Sequence, residues 1–378
     1  MTNKVLITGG AGFIGSRLAL ALLARGHQVR VLDNLAPQIH GDDPENSPLY
    51  GSIRGKVEFV RGSVTCRDDL AQVLSGVETV IHLAAETGTG QSMYAIQHYT
   101  EVNIGGTALL LDMIANESYP VRKIVVASSR AVYGEGKYQC REHGDVFPGG
   151  RSADDMAAGS FGVRCPVCGQ WAKMVPTDEQ TPVQPASVYG ITKLNQEQMV
   201  LTVAGSLGIS ALAFRYQNVY GPGQSLTNPY TGILSIFSTR IRNNRSINIF
   251  EDGLESRDFV YVDDVVAATL QGIEYDRPII DVFNVGSGVP TDVLTVANTL
   301  QQLLGQSVPT EVTGQFRIGD IRHNVADLGK IGKVLGFEPK VSVEEGLRRF
   351  VSWVQEEKIQ QDRYEDSLAE LRAKGLFK

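Results

Sequence analysis

The sequence has few of the features that mark secreted, membrane-spanning or nucleic-acid-binding proteins. Its 378 residues include 4 cysteines, too few for the disulfide framework of a small secreted domain. No apolar run approaches the length that crosses a bilayer, and no signal-peptide pattern precedes the first apolar segment. There is no basic run, and the net charge of -7 argues against a nucleic-acid or anionic-membrane partner. These absences favour a cytoplasmic protein.

A glycine-rich stretch near the start is the most informative segment that is present, Thr8-Gly9-Gly10-Ala11-Gly12-Phe13-Ile14-Gly15. An apolar strand-like run precedes it, and a segment of helical periodicity follows it. Glycines allow a sharp turn and a close approach of the backbone to a ligand, and the amides at the helix start favour a diphosphate. A second strand pattern ends in Asp33, at the offset of a ribose-binding carboxylate. The order of these elements predicts a dinucleotide site.

Apolar strand patterns and helical patterns then alternate along the first half of the chain. Runs at 57–60, 79–85 and 123–127 read as strands, so we expect a doubly wound parallel sheet with helices on both faces. A polar loop is expected over 36–55. His82, flanked by apolar residues, is interpreted as a core histidine. Ser129 directly follows a predicted strand, where ligands bind in such sheets.

The pattern Tyr-x-x-x-Lys occurs three times and places both side chains on one face when it is helical. Tyr119/Lys123 contains a proline and runs into a strand, and Tyr133/Lys137 is interrupted by glycines. Only Tyr189/Lys193 begins a credible helix. We therefore select Tyr189 and Lys193 as the functional pair.

These segments together resemble the extended short-chain dehydrogenase/reductase family, in its nucleotide-sugar epimerase and dehydratase branch. The resemblance rests on the glycine stretch, Asp33-Asn34-Leu35, His82-Leu83-Ala84-Ala85, Asn103 with Gly106-Thr107, Ser128-Ser129-Arg130-Ala131-Val132-Tyr133-Gly134 and Tyr189/Lys193. It continues through Arg215 to Gly223, Ser256 to Asp264 and Arg317 to Arg322. It implies a Rossmann-type NAD-binding domain over 1–215 and a smaller α/β, mainly substrate-binding domain over 216–378, with about 259–285 crossing back to the Rossmann sheet.

The resemblance also implies the chemistry of the site. Tyr189 would act as the general base on a sugar hydroxyl, Lys193 would favour its phenolate, and Ser129 would hydrogen-bond the same hydroxyl. Asp33 favours NAD over NADP because its carboxylate would repel a 2′-phosphate. The residues implied in cofactor binding are Gly9, Gly12, Phe13, Ile14, Gly15, Asp33, Asn34, Ser63, Val64, Leu83, Ala84, Ala85, Asn103, Tyr189 and Lys193.

The implied substrate is a dTDP- or UDP-linked sugar. Asn218, Arg257 and Arg322 occupy positions that resemble the family's contacts to it, the arginines clamping the diphosphate. The family's 4,6-dehydratases carry Asp-Glu directly after the catalytic hydroxyl residue, where this chain has Arg130-Ala131. We therefore expect no hexose 4,6-dehydration, and Arg130 is either a substrate contact or a solvated charge. At Ser63 the family commonly has aspartate.

An insertion over about 137–177 separates two segments that are close together in the family. It contains Cys140, His143, Cys165 and Cys168, the residue types and spacing of a structural Cys3His zinc site. Unliganded thiols or a redox pair are the alternatives. Such an insert resembles that of dTDP-L-rhamnose 4-epimerases. Cys66 is interpreted as a buried small residue outside this set.

The predicted function is therefore NAD-dependent nucleotide-sugar 4-epimerisation, through transient oxidation at C4 and return of hydride to the other face. The substrate pair that this resemblance favours is dTDP-L-rhamnose and dTDP-6-deoxy-L-talose. A 4-ketosugar reductase, a decarboxylase and a non-catalytic NAD-sensing scaffold are the alternatives. The family resemblance implies a homodimer, and the polar stretch 355–378 is expected to form a surface helix or a partner contact.

Overall fold

The computed structural model describes residues 3–228 and 232–378 of the chain. Its strands are β1 (Lys4–Thr8), β2 (Gln28–Asp33), β3 (Glu58–Arg61), β4 (Thr79–His82), β5 (Lys123–Ser129), β6 (Tyr138–Cys140), β7 (Gly144–Val146), β8 (Lys173–Met174), β9 (Ser210–Tyr216), β10 (Asn218–Tyr220), β11 (Ile247–Ile249), β12 (Ser256–Tyr261), β13 (Ile280–Val285), β14 (Pro290–Asp292), β15 (Thr310–Val312) and β16 (His323–Asn324).

Helices connect most of these strands. The α-helices are α1 (Phe13–Ala24), α2 (Pro37–His40), α3 (Pro48–Ile53), α4 (Arg67–Leu74), α5 (Thr89–Ser92), α6 (Ile96–Tyr99), α7 (Gly106–Asn116), α8 (Ala153–Ala157), α9 (Val188–Leu207), α10 (Ile233–Arg242), α11 (Val262–Glu274), α12 (Val293–Leu304), α13 (Gly329–Leu335), α14 (Val343–Glu356) and α15 (Tyr364–Ala373). Two 3-10 turns (Pro44–Asn46 and Arg130–Tyr133) and a π-helical turn (Thr100–Gly105) complete them.

A seven-stranded parallel sheet in the order β13-β9-β5-β4-β1-β2-β3 forms the centre of the molecule. Side chains alternate between its two faces, so Val5 and Ile7 pack in one hydrophobic cluster while Leu6 packs in the other. Both faces are covered, which explains why its central strands are almost continuously apolar. The predicted Rossmann-type fold is confirmed.

A second layer lies beyond the carboxyl ends of the central strands. β12 pairs with β10, β14 and β16, and β11 pairs with β15. A third hydrophobic cluster, which includes Phe237, Val296 and Phe350, joins these strands to α10, α12 and α14. The predicted crossing segment contributes β13, which forms the edge of the central sheet next to β9.

The insertion folds as a small unit of its own. Its strands form an antiparallel sheet in the order β7-β6-β8, and its apolar core consists of Tyr138, Val146 and Val163 with two of the cysteines. So few apolar side chains bury little surface, and domains of this size usually need a metal or disulfide as well.

Two local predictions need correction. The segment 36–55 contains α2, the first 3-10 turn and α3 rather than an irregular loop, and each of these begins with a proline, whose fixed φ suits a first helical position. Cys66 is half-buried rather than buried, because it precedes the first turn of α4.

The last helix packs on the surface of the protein, one of the two expected arrangements. Tyr364, Leu368 and Leu371 of α15 are buried against Phe250 and Phe377, so this polar stretch presents one apolar face to the protein. Within the described residues, none of the helices is both long enough and apolar enough to traverse a bilayer.

Candidate active site

A cavity of about 910 Å³ lies between the carboxyl edge of the central sheet and the second layer. Its volume falls at the upper end of the range for ligand pockets in proteins. The predicted cofactor residues that line it are Gly9, Gly12, Phe13, Ile14, Gly15, Asp33, Asn34, Ser63, Val64, Leu83, Ala84, Ala85, Tyr189 and Lys193. Ser129, Arg130, Asn218 and Arg257 line it as well.

The glycine turn between β1 and α1 forms one wall of the cavity. Gly9 has a φ of +69°, and a Cβ there would lie 2.8 Å from the amide nitrogen of Ala84. A Cβ at Gly15 would lie 2.4 Å from the carbonyl oxygen of Gly9. No side chain caps the first turn of α1, so its free amides are available to an anionic ligand.

Asp33, at the end of β2, holds the backbone around this turn. Its Oδ2 accepts a hydrogen bond of 2.9 Å from the Ala11 amide, and its Oδ1 accepts one of 2.8 Å from the Leu35 amide. These bonds fix the carboxylate at the cavity wall, next to Asn34. A fixed carboxylate in this place suits the ribose of a dinucleotide.

Ser129, Tyr189 and Lys193 converge on the cavity from β5 and α9. The Ser129 hydroxyl accepts a 3.1 Å hydrogen bond from the Ala131 amide and lies near the Tyr189 hydroxyl, whose pKa it lowers. Lys193 is 3% exposed and its Nζ donates to Gln196 Oε1 at 2.8 Å. Burial lowers the pKa of Lys193 to about 7.

The environment of Tyr189 acts on its pKa in opposite directions. Burial raises the pKa, while the nearby Ser129 hydroxyl and the positive charge of Arg130 lower it. Burial also lowers the pKa of Arg130, to about 10. Arg130 is therefore a cation in the cavity lining, at the end that holds Ser129 and Tyr189, which favours the interpretation as a substrate contact.

His82 belongs to the core, as predicted. Its Nδ1 lies 2.8 Å from Thr8 Oγ1 and its Nε2 lies 2.9 Å from Thr107 Oγ1. Burial lowers its pKa to about 3, so the ring is neutral near pH 7. A neutral, fully hydrogen-bonded ring positions neighbouring elements and carries no proton in the reaction.

Asn103 does not line the cavity, which corrects its assignment as a cofactor contact. It is fully buried, its Oδ1 accepts from the Glu86 amide at 2.7 Å, and its Nδ2 donates to the Glu86 carbonyl and to Thr192 Oγ1. Its amide thus joins the loop after β4 to helix α9. The residue supports the cavity wall rather than touching a ligand.

Arg322 is also absent from the cavity lining. Its guanidinium donates to Glu251 at 2.9 Å and to the two oxygens of Asp252 at 2.6 and 2.8 Å. Arg317, from the same sequence segment, lines the cavity together with Arg257. A pair of guanidinium groups is suited to a diphosphate, so Arg317 replaces Arg322 as the candidate partner of Arg257.

Asn218 and α15 complete the second half of the cavity. The Asn218 Oδ1 is buried and makes no hydrogen bond within the described residues, which leaves an acceptor for a ligand. Tyr364, Leu368 and Leu371 of α15 line the cavity. Sequence reasoning missed this helix as a site element, although its apolar residues recur at helical spacing.

The four predicted metal ligands come together in the insertion. Their ligand atoms all lie within 4.8 Å of one another. Cys140 Sγ lies 3.7 Å from Cys168 Sγ and 3.6 Å from His143 Nδ1, and Cys165 Sγ lies 3.8 Å from His143 Nδ1. Two thiolates about 2.3 Å from a tetrahedral zinc would be about 3.75 Å apart. The thiols are free, so they form no disulfide.

Comparisons with known proteins agree with the fold and the cavity. The sequence profile of the NAD dependent epimerase/dehydratase family matches residues 5–148 and 161–286. The dTDP-L-rhamnose 4-epimerase of Burkholderia thailandensis is 39% identical over 362 residues, which cover 94% of this chain and 96% of that protein.

Two solved structures are similar over almost their whole length. The UDP-glucose 4-epimerase of Thermotoga maritima, with UDP-glucose, is 30% identical with a TM-score of 0.75, covering 93% of this chain and 99% of that one. The UDP-glucuronic acid 4-epimerase of Bacillus cereus, in complex with UDP-glucuronic acid and NAD, is 25% identical with a TM-score of 0.76 over the same shares. The chain therefore belongs to the NAD dependent epimerase/dehydratase family.

Proposed function

We propose that this chain interconverts the C4 epimers of a dTDP-linked 6-deoxyhexose, dTDP-L-rhamnose and dTDP-6-deoxy-L-talose. Its broader class is NAD-dependent nucleotide-sugar 4-epimerase, which the family and the similar solved epimerases support. The single observation that carries the choice of sugar and base is the 39% identity to a dTDP-L-rhamnose 4-epimerase along nearly the whole chain. Epimerases of UDP-sugars are also similar, so the test includes them.

The side chains in the cavity suit this reaction. NAD, when bound, supplies an acceptor and then a donor of hydride at C4 of the sugar. Tyr189 takes the proton of the C4 hydroxyl and later returns it, while Ser129 hydrogen-bonds the same oxygen. Arg130 provides positive charge near the phenolate, and Lys193 lines the cavity one turn along α9 from Tyr189. Inversion at C4 then requires only that the keto sugar receive the returning hydride on its opposite face.

The residues after Ser129 favour epimerisation over dehydration. Elimination of water across C5 and C6 needs an acid and a base beside the sugar, and the two positions hold Arg130 and Ala131. Arg130 lines the cavity as a cation. A guanidinium does not serve as a proton donor or acceptor near neutral pH.

The test is incubation of the purified protein with dTDP-L-rhamnose, UDP-glucose and UDP-glucuronic acid in separate reactions, without added cofactor, followed by product NMR. We expect the C4 epimer of dTDP-L-rhamnose, with no net change in NADH absorbance. An epimer formed only from a UDP-sugar would overturn the proposed nucleotide base and sugar of the substrate. Turnover that consumes NAD(P)H or releases CO2 would instead identify a reductase or a decarboxylase, and tight NAD binding without any turnover would favour a sensing scaffold.

We further propose that Cys140, His143, Cys165 and Cys168 hold one structural zinc ion. The ligand distances fit a tetrahedral site, and the Val167 amide donates to Cys165 Sγ at 3.4 Å, as expected when a turn stabilises a thiolate. Four protein ligands leave no open coordination position, so the ion would support the insertion and take no part in catalysis.

Metal analysis of the purified protein is expected to give about one zinc per chain. Cys165→Ser should reduce the zinc content strongly, because the remaining ligands no longer complete the tetrahedron. Cys66→Ser is the matched control, since Cys66 lies outside the cluster, and it should retain the metal. A wild-type protein with far less than one zinc per chain would contradict this assignment.

A homodimer stays a prediction from the family resemblance. Ile96 and Ile191 are exposed large apolar side chains on α6 and α9.

A further inference from the structure

Arg151, in the insertion, is held in a buried network that reaches both halves of the molecule. Its side chain is 5% exposed. The Nε donates to Glu135 Oε1 at 3.0 Å, and Nη1 and Nη2 each donate to Glu251 at 2.7 Å. Nη1 also donates to the Phe161 carbonyl at 3.2 Å, and Nη2 donates to the Asp320 carbonyl at 3.0 Å. All five guanidinium N–H groups therefore have a partner.

The partners outside the insertion, Glu135, Glu251 and Asp320, come from three separate parts of the chain. Glu135 follows the turn that carries Ser129 and Arg130, and Glu251 follows β11 in the second layer. Both carboxylates are almost fully buried. Arg151 itself lies in 149–160, the stretch between the two segments that the family profile matches. The insertion thus supplies a cation that bridges both buried carboxylates, while Arg322 donates to Glu251 from its guanidinium and to Glu135 from its backbone amide.

The network continues from Asp320 to the ligand cavity. Arg151 donates to the Asp320 backbone carbonyl. The Asp320 carboxylate accepts a hydrogen bond of 3.2 Å from Arg257 and forms an ion pair of 3.3 Å with Arg317. Arg257, Arg317 and Asp320 all line the cavity.

The insertion supports the same segment through apolar contact. Phe161 packs with Met156 against Phe316, the residue before Arg317. Both contacts of the insertion, the polar one at Asp320 and the apolar one at Phe316, thus fall on the short segment that presents Arg317.

We propose that Arg151 is a positioning residue through which the insertion sets the affinity of the cavity for the diphosphate of its nucleotide sugar, an inference that rests on the proposed function only for the identity of the ligand. Arg151 does not touch the ligand. It fixes Asp320, and Asp320 fixes the two arginines that face the diphosphate. Loss of Arg151 should therefore weaken nucleotide binding while leaving the NAD site, on the opposite side of the cavity, unchanged.

The experiment compares Arg151→Gln, Arg151→Lys and Arg164→Gln in the full-length protein as purified with its NAD. Arg164 is the matched control, because it is an exposed arginine of the same insertion that stacks on Trp171. Dissociation constants for dTDP and UDP are measured calorimetrically, well below the unfolding temperature, along with NAD and zinc content.

Arg151→Gln is expected to weaken binding of the preferred nucleoside diphosphate about 10-fold or more, because misplaced charged groups lose much of their interaction with a ligand. Arg151→Lys should lose less, and Arg164→Gln should match the wild type. Unchanged affinity in folded Arg151→Gln, or an equal loss in Arg164→Gln, would overturn the inference. NAD and zinc contents should not change, since a role confined to folding would lower both with the affinity.

A second variant covers the case in which Arg151→Gln does not fold. Phe161→Ala removes only the apolar contact to Phe316 and should also weaken nucleoside diphosphate binding with NAD content unchanged; full wild-type affinity there would count against the inference. Because these measurements need no turnover, they separate it from the proposed function. If the wild type binds neither dTDP nor UDP, both fail, whereas normal binding by the variants overturns the inference alone.

Discussion

Tyr189→Phe is expected to lower the epimerisation rate by about 10³-fold, within the range that general acid–base catalysis contributes. The phenolic oxygen is the only heavy atom removed, and Tyr189 lines the cavity together with Ser129. Phenylalanine keeps the ring and its packing, so the NAD content of the purified protein should remain near that of the wild type. Product NMR and cofactor release on denaturation measure the two quantities.

Tyr119→Phe provides the matched control for this prediction. Tyr119 also stands four residues before a lysine, but its hydroxyl donates to Glu117 at 2.8 Å and it does not line the cavity. Its substitution should leave turnover within about twofold of the wild type, as for most changes away from the site. A near-normal rate in Tyr189→Phe would refute the assignment of the general base.

The same tyrosine predicts the pH dependence of the reaction. The base must be deprotonated, so turnover should rise with pH up to the pKa of Tyr189. Arg130 lowers that pKa, hence Arg130→Gln should move the rising limb to higher pH. The other charged or titratable groups near the hydroxyl are Lys193, one turn along α9, and Tyr99 from α6, itself beside Glu86. If the rising limb of the pH profile of Arg130→Gln lies at the same pH as in the wild type, an electrostatic role for Arg130 is excluded.

The lining of the cofactor side of the cavity could be predicted from the sequence because much of it is encoded locally. The glycine turn, Asp33 and the Leu83-Ala84-Ala85 segment lie at the carboxyl ends of β1, β2 and β4, and the order of strands and helices places these ends at one edge of the sheet. The Cys/His cluster was predictable for a similar reason, since its two pairs of side chains are fixed by short spacings within one insertion.

The second half of the cavity depends on contacts between distant segments, which a sequence pattern does not encode. Arg317 and Arg322 are close in sequence, but the chain turns at Gly319, with a φ of +81°, and β16 then pairs with β12. Of these two arginines, only Arg317 consequently lines the cavity. Likewise, α15 reaches the cavity because Phe377 packs on Phe250, a contact between residues far apart in the chain.

Arg215→Met is expected to reduce the free energy of unfolding by about 3–5 kcal/mol, the usual cost of removing one partner from a buried ion pair. Arg215 Nη2 and Nε donate to Glu197 at 2.6 and 3.0 Å, and Nη1 donates to the Tyr133 hydroxyl at 2.8 Å. The pair is almost fully buried and joins β9 to α9, the helix of Tyr189 and Lys193. Denaturant-induced unfolding at pH 7 measures the loss.

Two comparisons identify the cause of the lost stability. The first is with a variant of an exposed ion pair, and the second is with a double variant of the buried pair. Arg67 pairs with Asp112 and Glu117 at the surface, so Arg67→Met should cost less than about 1 kcal/mol. Adding Glu197→Leu to Arg215→Met should recover part of the lost stability, because the cost arises mainly from a carboxylate left buried without its cation. If the double variant is instead less stable than Arg215→Met, Glu197 contributes chiefly through its 2.6 Å hydrogen bond from Ser128, the neighbour of Ser129.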